Sequence, residues 1–217
     1  MRYLVLDLCS APIEGAEQLV PEVKAPSNYR DPVKIAEYVA EKTAERQSMV
    51  ATDLDLARIT AAAWKLSNES ESHYSTAKND SEEETLIERL NVLVGSYASD
   101  TRIVTFGGRR FDLPLLMRRA RWKGMKPAVI NVDRYKHFQA CGHRDLCEEL
   151  ADYDWSKMKP LDFYVRAHKW EDLLPKPMTG SEEARIFEHH NWDGLECSVI
   201  RDVEAIVRLA RWWGVAV

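Results

Sequence analysis

Three aspartates interrupt stretches that are otherwise apolar. Asp7 falls within the run Tyr3 to Leu8 (YLVLDL), Asp112 follows a Gly-Gly turn at the start of a helix, and Asp202 sits beside the apolar stripe of the last helix. A carboxylate loses strong hydration on burial, so it is paired, hydrogen-bonded or bound to a cation. Each has an ordinary role open to it: Asp112 as a helix cap, Asp202 as an arginine partner, Asp7 as an acceptor for nearby backbone N–H groups. Taken together they suggest other chemistry. A strand carboxylate meeting carboxylates from two helical regions suits hard divalent cations, which take oxygen ligands in near-octahedral geometry. Two such ions can stabilise the attacking and leaving oxygens of phosphodiester cleavage.

The elements that must position these acids are legible in outline. Tyr3–Leu8 has the length and apolarity of a central strand, and ARITAAAWKL (57–66) of a second, with a short third at 72–76. Residues 11–50 carry four prolines and a helix from Pro32 to about Arg46, whose stripe Val33, Ile35, Ala36, Val39 and Ala40 predicts packing on the sheet. Ser81 and Glu84 read as a capping box for a helix with Leu86, Leu90, Leu93 and Tyr97 on one face. RIVTF (102–106), Gly107-Gly108 and FDLP (111–114) give strand, turn and helix. Val129–Val132 reads as a fifth strand, and 146–150, 161–168 and 181–190 as short helices. Leu195, Val199, Val203, Ile206, Ala210 and Trp213 mark a long final helix, with Trp212 and Trp213 expected to close the core. Strands early and helices late, with crossovers, predict an α/β sheet packed by helices.

Composition bounds the partners. The 217 residues are 45% apolar, enough for a real core in one domain, 1–217, and no apolar run reaches the ~18 residues of a membrane span. The opening MRYLVLD meets an aspartate too early for a secretory signal, and four cysteines are too few for a disulfide framework, so the expected location is cytoplasmic, with no membrane partner. A net charge of −5 argues against holding nucleic acid by bulk charge. The window Arg109–Lys126 nevertheless carries +6, leaving −11 elsewhere, so a polyanion would be met locally.

The segments YLVLDLCSAP, LDLARITAAAW, IVTFGGRRFDLPLLMRRA, GHRDLCEEL and VIRDVEAIVRLARWW resemble, in order and spacing, the DEDD 3′-5′ exonucleases, and most closely those similar to the proofreading domain of family B DNA polymerases. The resemblance implies a ribonuclease H-like α/β fold, a mixed five-stranded sheet flanked by helices, with residues at about 11–50 as a family-type insertion. It implies two Mg²⁺ or Mn²⁺ ions, a DNA-binding cleft for a single-stranded 3′ end with RNA left open as substrate, and a replication or repair partner. Asp7, Asp112 and Asp202 would be the metal-binding, catalytic acids.

The chain departs from that pattern at four positions, the mildest being Gly107, where the family's second motif often has Asn. The family's glutamate two residues after the first aspartate is Cys9, on the same strand face but softer and largely protonated, so Mg²⁺ loses a ligand and one ion is held less tightly. The family's water-orienting Tyr or His positions are Ser198 and Cys197. His189 and His190 are nearby candidates for activating water, with a surface or packing role as the plainer reading. Arg109, Arg110, Phe111 and Trp122 are the candidate nucleic-acid contacts, because guanidinium forks match phosphates and indoles stack on bases. His137, Cys141, His143 and Cys147 hold zinc-ligand types at a spacing that fits no standard zinc motif. Two functions therefore stand: a metal-dependent exonuclease weakened by Cys9, and a catalytically degenerate exonuclease fold that binds nucleic acid or protein.

Overall fold

The structure is a computed structural model that describes residues 2–96, 101–128, 142–174 and 180–217. Its central strand, β1 (Arg2–Pro12), is apolar on both faces because both are covered. Leu4, Leu6 and Leu8 enter one core cluster, while Val5 and Cys9 enter another on the opposite side.

After β1 come a short helix α1 (Ala16–Leu19) and the longer α2 (Pro32–Met49). Asp31 caps α2 by accepting from the Val33 N–H at 3.0 Å, and Pro32 occupies its first turn. The expected helix is there, but its stripe does not pack on the sheet. Val33 is 64% exposed, and no described side chain of α2 is buried. Capping and helix propensity form α2 locally. The following 3-10 turn, Val50–Thr52, anchors the segment instead: Val50 and Ala51 are buried, and Ser10 donates its hydroxyl to the Ala51 carbonyl at 2.6 Å.

β2 (Ala57–Leu66) runs antiparallel to β1 and is buried at every residue. β3 (His73–Thr76) pairs antiparallel with its outer edge. The next helix, α3 (Asp80–Ser96), is capped two residues earlier than expected. Asn79 accepts from the Ser81 and Glu82 N–H groups at 3.1 and 3.0 Å, and Glu82 reaches back to accept from the Lys78 N–H at 2.9 Å. Asn79 offers the same capping chemistry as Ser81 and lies upstream of it, so the helix begins there. Tyr97 lies outside the described residues.

β4 (Thr101–Thr105) lies parallel to β1, followed by α4 (Asp112–Trp122). The remaining elements are β5 (His143–Asp145), α5 (Leu146–Leu150), α6 (Leu161–Ala167), α7 (Gly180–Glu188) and α8 (Trp192–Trp212). The mixed five-stranded sheet has the order β3-β2-β1-β4-β5. Its fifth strand is His143–Asp145, parallel to β4. The segment Val129–Val132, read as that strand, lies outside the described residues, as do His137 and Cys141.

Helices cover both faces. Leu86, Ile87 and Leu90 of α3 and Leu113, Leu115 and Leu116 of α4 pack on one side, and Leu195, Val199, Val203 and Ile206 of α8 on the other. Ala61 and Ala63 of β2 lie in the α8 cluster, and their small side chains let the helix approach the sheet closely. Trp212 and Trp213 do not close this core; they are 54% and 40% exposed. The chain turns after them and Val215, 2% exposed, takes the core position. Trp213 Nε1 instead donates to Glu149 at 3.2 Å, and Trp212 packs edge-on to His168. Among the described residues, no helix is long and apolar enough to cross a membrane.

Candidate active site

β1 continues past the end of its parallel partner. Its pairing with β4 stops at Val5↔Val104, whereas on the β2 side Asp7 lies opposite Ala63 and Cys9 opposite Ala61. Ligand sites in open α/β sheets form at such a strand end. A register shift between Cys9 and Ser10 leaves Thr60 without a counterpart in the ladder, a local bulge of the kind that re-aims side chains beside sites. Asp7 and Cys9, two residues apart, share the face turned toward α8. Cys9 is 1% exposed. Burial, followed by the charges of Glu183, Asp7 and Asp202, pushes its thiol well above the usual range. The thiol is neutral at physiological pH, and three carboxylates are its electrostatic neighbours.

Asp112 reaches the site through a turn held by another acid. Asp145, 1% exposed, accepts from the Gly107 N–H at 2.8 Å, the Arg109 N–H at 2.9 Å and the Cys147 N–H at 3.1 Å. It thereby ties β5 and α5 to the Gly-Gly turn. Gly107 takes φ +81°, which favours glycine. Asp112, 6% exposed at the start of α4, has its carboxyl raised well above the usual range by burial, then by Asp145 and Glu183. His143, 0% exposed and 2.8 Å from Thr105 Oγ1, is held neutral, its pKa lowered to about 3 by burial and by Arg109.

α8 contributes Asp202, 6% exposed, as the spacing of its apolar stripe suggested. Its neighbour Arg201 places Nη1 2.6 Å from Asp202 Oδ1 and also binds Asp162 and the Leu173 carbonyl. One turn earlier, Ser198 is fully buried and donates to Glu183 Oε1 at 2.7 Å, while Cys197 is exposed.

Glu183, on α7, was not among the residues singled out from sequence. It is 8% exposed, accepts from Ser198, and is an electrostatic neighbour of both Cys9 and Asp112. Asp7, Asp202 and Asp112 are therefore linked through the Cys9–Glu183 pair. A signal existed. Glu183 lies next to Ala184 and four residues before Phe187, on the apolar side of its helix, but Glu182-Glu183 also reads as an ordinary acidic first turn.

The other candidates are placed differently. Arg109 is 3% exposed and paired with Glu148 at 3.3 Å; Arg110 meets the same carboxylate at 3.4 Å and lies over the Trp155 ring. Their charge is turned toward α5. Phe111 is partly buried against the α3–α4 core, and Trp122 is 59% exposed. His189 and His190 are exposed at the end of α7, and the His190 ring lies 5.5 Å from Trp192.

In donor chemistry Asp7, Asp112 and Asp202 carry the carboxylate oxygens that hard divalent cations take as ligands. Among the described residues, no three His, Cys, Asp or Glu side chains stand close enough to enclose an ion. The acids share a neighbourhood without forming a closed cage, as expected of mutually repelling carboxylates.

The mixed five-stranded sheet with helices on both faces defines an α/β domain. Residues 52–170, over half of the chain, match the family described as predicted 3′-5′ exonucleases related to the exonuclease domain of PolB, and the chain belongs to that family. The match includes Asp112 and Asp145; Asp7, Glu183 and Asp202 lie outside it. The family B DNA polymerase from the hyperthermophilic archaeon Pyrobaculum calidifontis shares the fold at a TM-score of 0.58 and 19% identity, over 98% of this chain and 24% of the polymerase. The chain thus spans about a quarter of that polymerase's length. The fold is the ribonuclease H-like one. No curated protein matches the chain.

Proposed function

We propose that this domain is a metal-dependent 3′-5′ exonuclease acting on single-stranded DNA ends and releasing nucleoside monophosphates. The observation that carries the reading is the gathering of Asp7, Asp202 and Asp112 around Cys9 and Glu183 at the end of β1, in a chain of the exonuclease family. Asp7, Asp112 and Asp202 would hold Mg²⁺ or Mn²⁺, which would supply positive charge to the attacking and leaving oxygens. The chain's own residues fix those acids: Asp145 clamps the turn before Asp112, and Arg201 orients Asp202.

A cleft of about 780 Å³ opens past the end of β1, at Pro12 and Ile13, and would offer the strand a path. Arg58, Lys78, Arg119 and Lys123 line it beside Asp80 and Trp122, with Arg119 paired to Glu83 at 2.7 Å and Lys123 to Asp80 at 3.0 Å. Arg58 is 8% exposed and is paired with Asp80 at 3.6 Å and Glu83 at 3.9 Å. Trp122 supplies an exposed ring for base stacking.

Arg201 against Asp202 favours a second reading, a degenerate exonuclease fold that binds nucleic acid or protein, because the arginine occupies one acid's oxygen. A 3′-labelled oligonucleotide with Mg²⁺ or Mn²⁺ separates the two. The enzyme reading expects stepwise shortening that Asp7→Ala abolishes. Oligonucleotide binding that survives EDTA, with no shortening in either metal, establishes the binder.

A further inference from the structure

Building on the strand path proposed above, we infer that the Asp80 carboxylate holds the place of a phosphate between Arg58 and Lys123, and that an internucleotide phosphate of the single strand displaces it on binding. Two acids one turn apart on α3 serve the cations of the cleft, and they are held in opposite ways. Glu83 is fully buried; it accepts from the Ile59 N–H at 2.9 Å and from Arg119 Nε and Nη2 at 2.8 and 2.7 Å. A buried carboxylate engaged on both oxygens is a fixed counter-ion, because freeing it would strand charge away from water. Asp80 instead has 75% of its side chain exposed, and meets Lys123 Nζ at 3.0 Å and Arg58 Nη1 at 3.6 Å. Exposed pairs of this kind are weak, so another anion can take the place.

Arg58 is the cation left short. Its Nε and Nη2 are buried without a hydrogen bond among the described residues, and Asp80 at 3.6 Å and Glu83 at 3.9 Å both stop outside bonding distance. Asp80 is tethered by a short side chain at the start of α3 and comes no closer. A phosphate has no tether, so its oxygens can close on Arg58 Nη1 and Lys123 Nζ together in charge-assisted hydrogen bonds. The Lys123 hydrogen bond, with the charges of Lys123, Arg58 and Arg119, holds the Asp80 carboxyl below its usual range, so the place is filled by an anion at neutral pH. Trp122, the exposed ring of the cleft, immediately precedes Lys123, which puts a base-stacking group and a phosphate-binding group at one helix end.

Fluorescence anisotropy of the full chain with a labelled single-stranded oligonucleotide in EDTA tests this apart from cleavage. Asp80→Asn keeps the side chain's shape and removes the competing charge; it is expected to tighten binding by about 2- to 5-fold, the scale of an exposed ion pair. Its melting temperature should fall slightly, because the same pairs stabilise the unbound fold. Glu84→Gln removes an exposed charge from the same helix outside the cleft and should give a smaller gain. In a Lys123→Gln background Asp80→Asn should give none, since the phosphate then lacks its second cation. Unchanged affinity in Asp80→Asn, with binding weakened in Trp122→Ala, overturns the inference and leaves the strand path standing. A gain matched by Glu84→Gln, or kept in the Lys123→Gln background, also overturns it. Tighter binding of inorganic phosphate by Asp80→Asn, followed by phosphorus NMR, with no gain for the oligonucleotide, assigns the place to a free anion and overturns it too. An oligonucleotide that neither chain binds removes the strand path and the inference with it.

Discussion

Gly108 lies directly against Asp112: a β-carbon at position 108 would stand 2.8 Å from Asp112 Oδ2 and 2.6 Å from the Thr105 side chain. Thr105 is fully buried at the end of β4 and has no room to yield. The glycine therefore does two things, closing the turn after β4 and letting the Asp112 carboxylate lie flat against it. Gly108→Ala is expected to cost about 1–3 kcal/mol of stability through overpacking. Because the clash falls on Asp112 itself, exonuclease activity measured well below the variant's melting temperature should drop by tenfold or more. Wild-type activity in a folded Gly108→Ala protein would show that the position of Asp112 is not critical.

His143 makes stability sensitive to acid. It is neutral in the fold, with a pKa lowered to about 3, and takes up a proton near 6.5 once the chain unfolds. The unfolded state binds more protons across that interval, so stability is lost as pH falls from about 6.5 toward 3, at up to about 1.4 kcal/mol per pH unit. Asp112, whose carboxyl is raised, acts with the opposite sign and loses stability as pH rises above the ordinary aspartate range. Urea unfolding of the metal-free protein between pH 4 and 7 should therefore show a shallower acid loss in His143→Gln and a steeper one in Asp112→Asn. A profile unchanged by His143→Gln would contradict the buried neutral imidazole.

Trp122 tests the strand path. It is 59% exposed on α4 and lines the cleft, with the Arg119 guanidinium 5.7 Å from its ring. Stacking on an aromatic ring contributes about 1–3 kcal/mol per base. Trp122→Ala should weaken single-stranded oligonucleotide binding by about 5- to 150-fold in fluorescence anisotropy, with little effect on the melting temperature. Unchanged affinity would place the strand elsewhere.

Much of this protein follows from local pattern. The strand YLVLDL, the alanine-rich second strand and the stripe of α8 are apolar because the sheet is covered on both faces, and that periodicity is visible without coordinates. Asp7, Asp112 and Asp202 stand out for the same reason: each is a charge in an apolar setting. The placement of α2 was not legible, because its stripe is small and its helix forms through its own cap.

What only the tertiary structure decided depends on contacts between residues far apart in the chain. Arg109 reads as a phosphate ligand until Glu148 is found beside it; Asp145 reads as part of a motif until three N–H groups converge on it. Glu183 is the clearest case. Its sequence neighbourhood is an ordinary acidic helix start, and its burial and its hydrogen bond from Ser198 on the next helix come from packing. The amino-acid order by itself determined that this chain would build an α/β sheet with three misplaced acids, because periodicity and burial cost act locally. Which groups surround those acids was decided by packing, since charge and hydrogen bonding act through space.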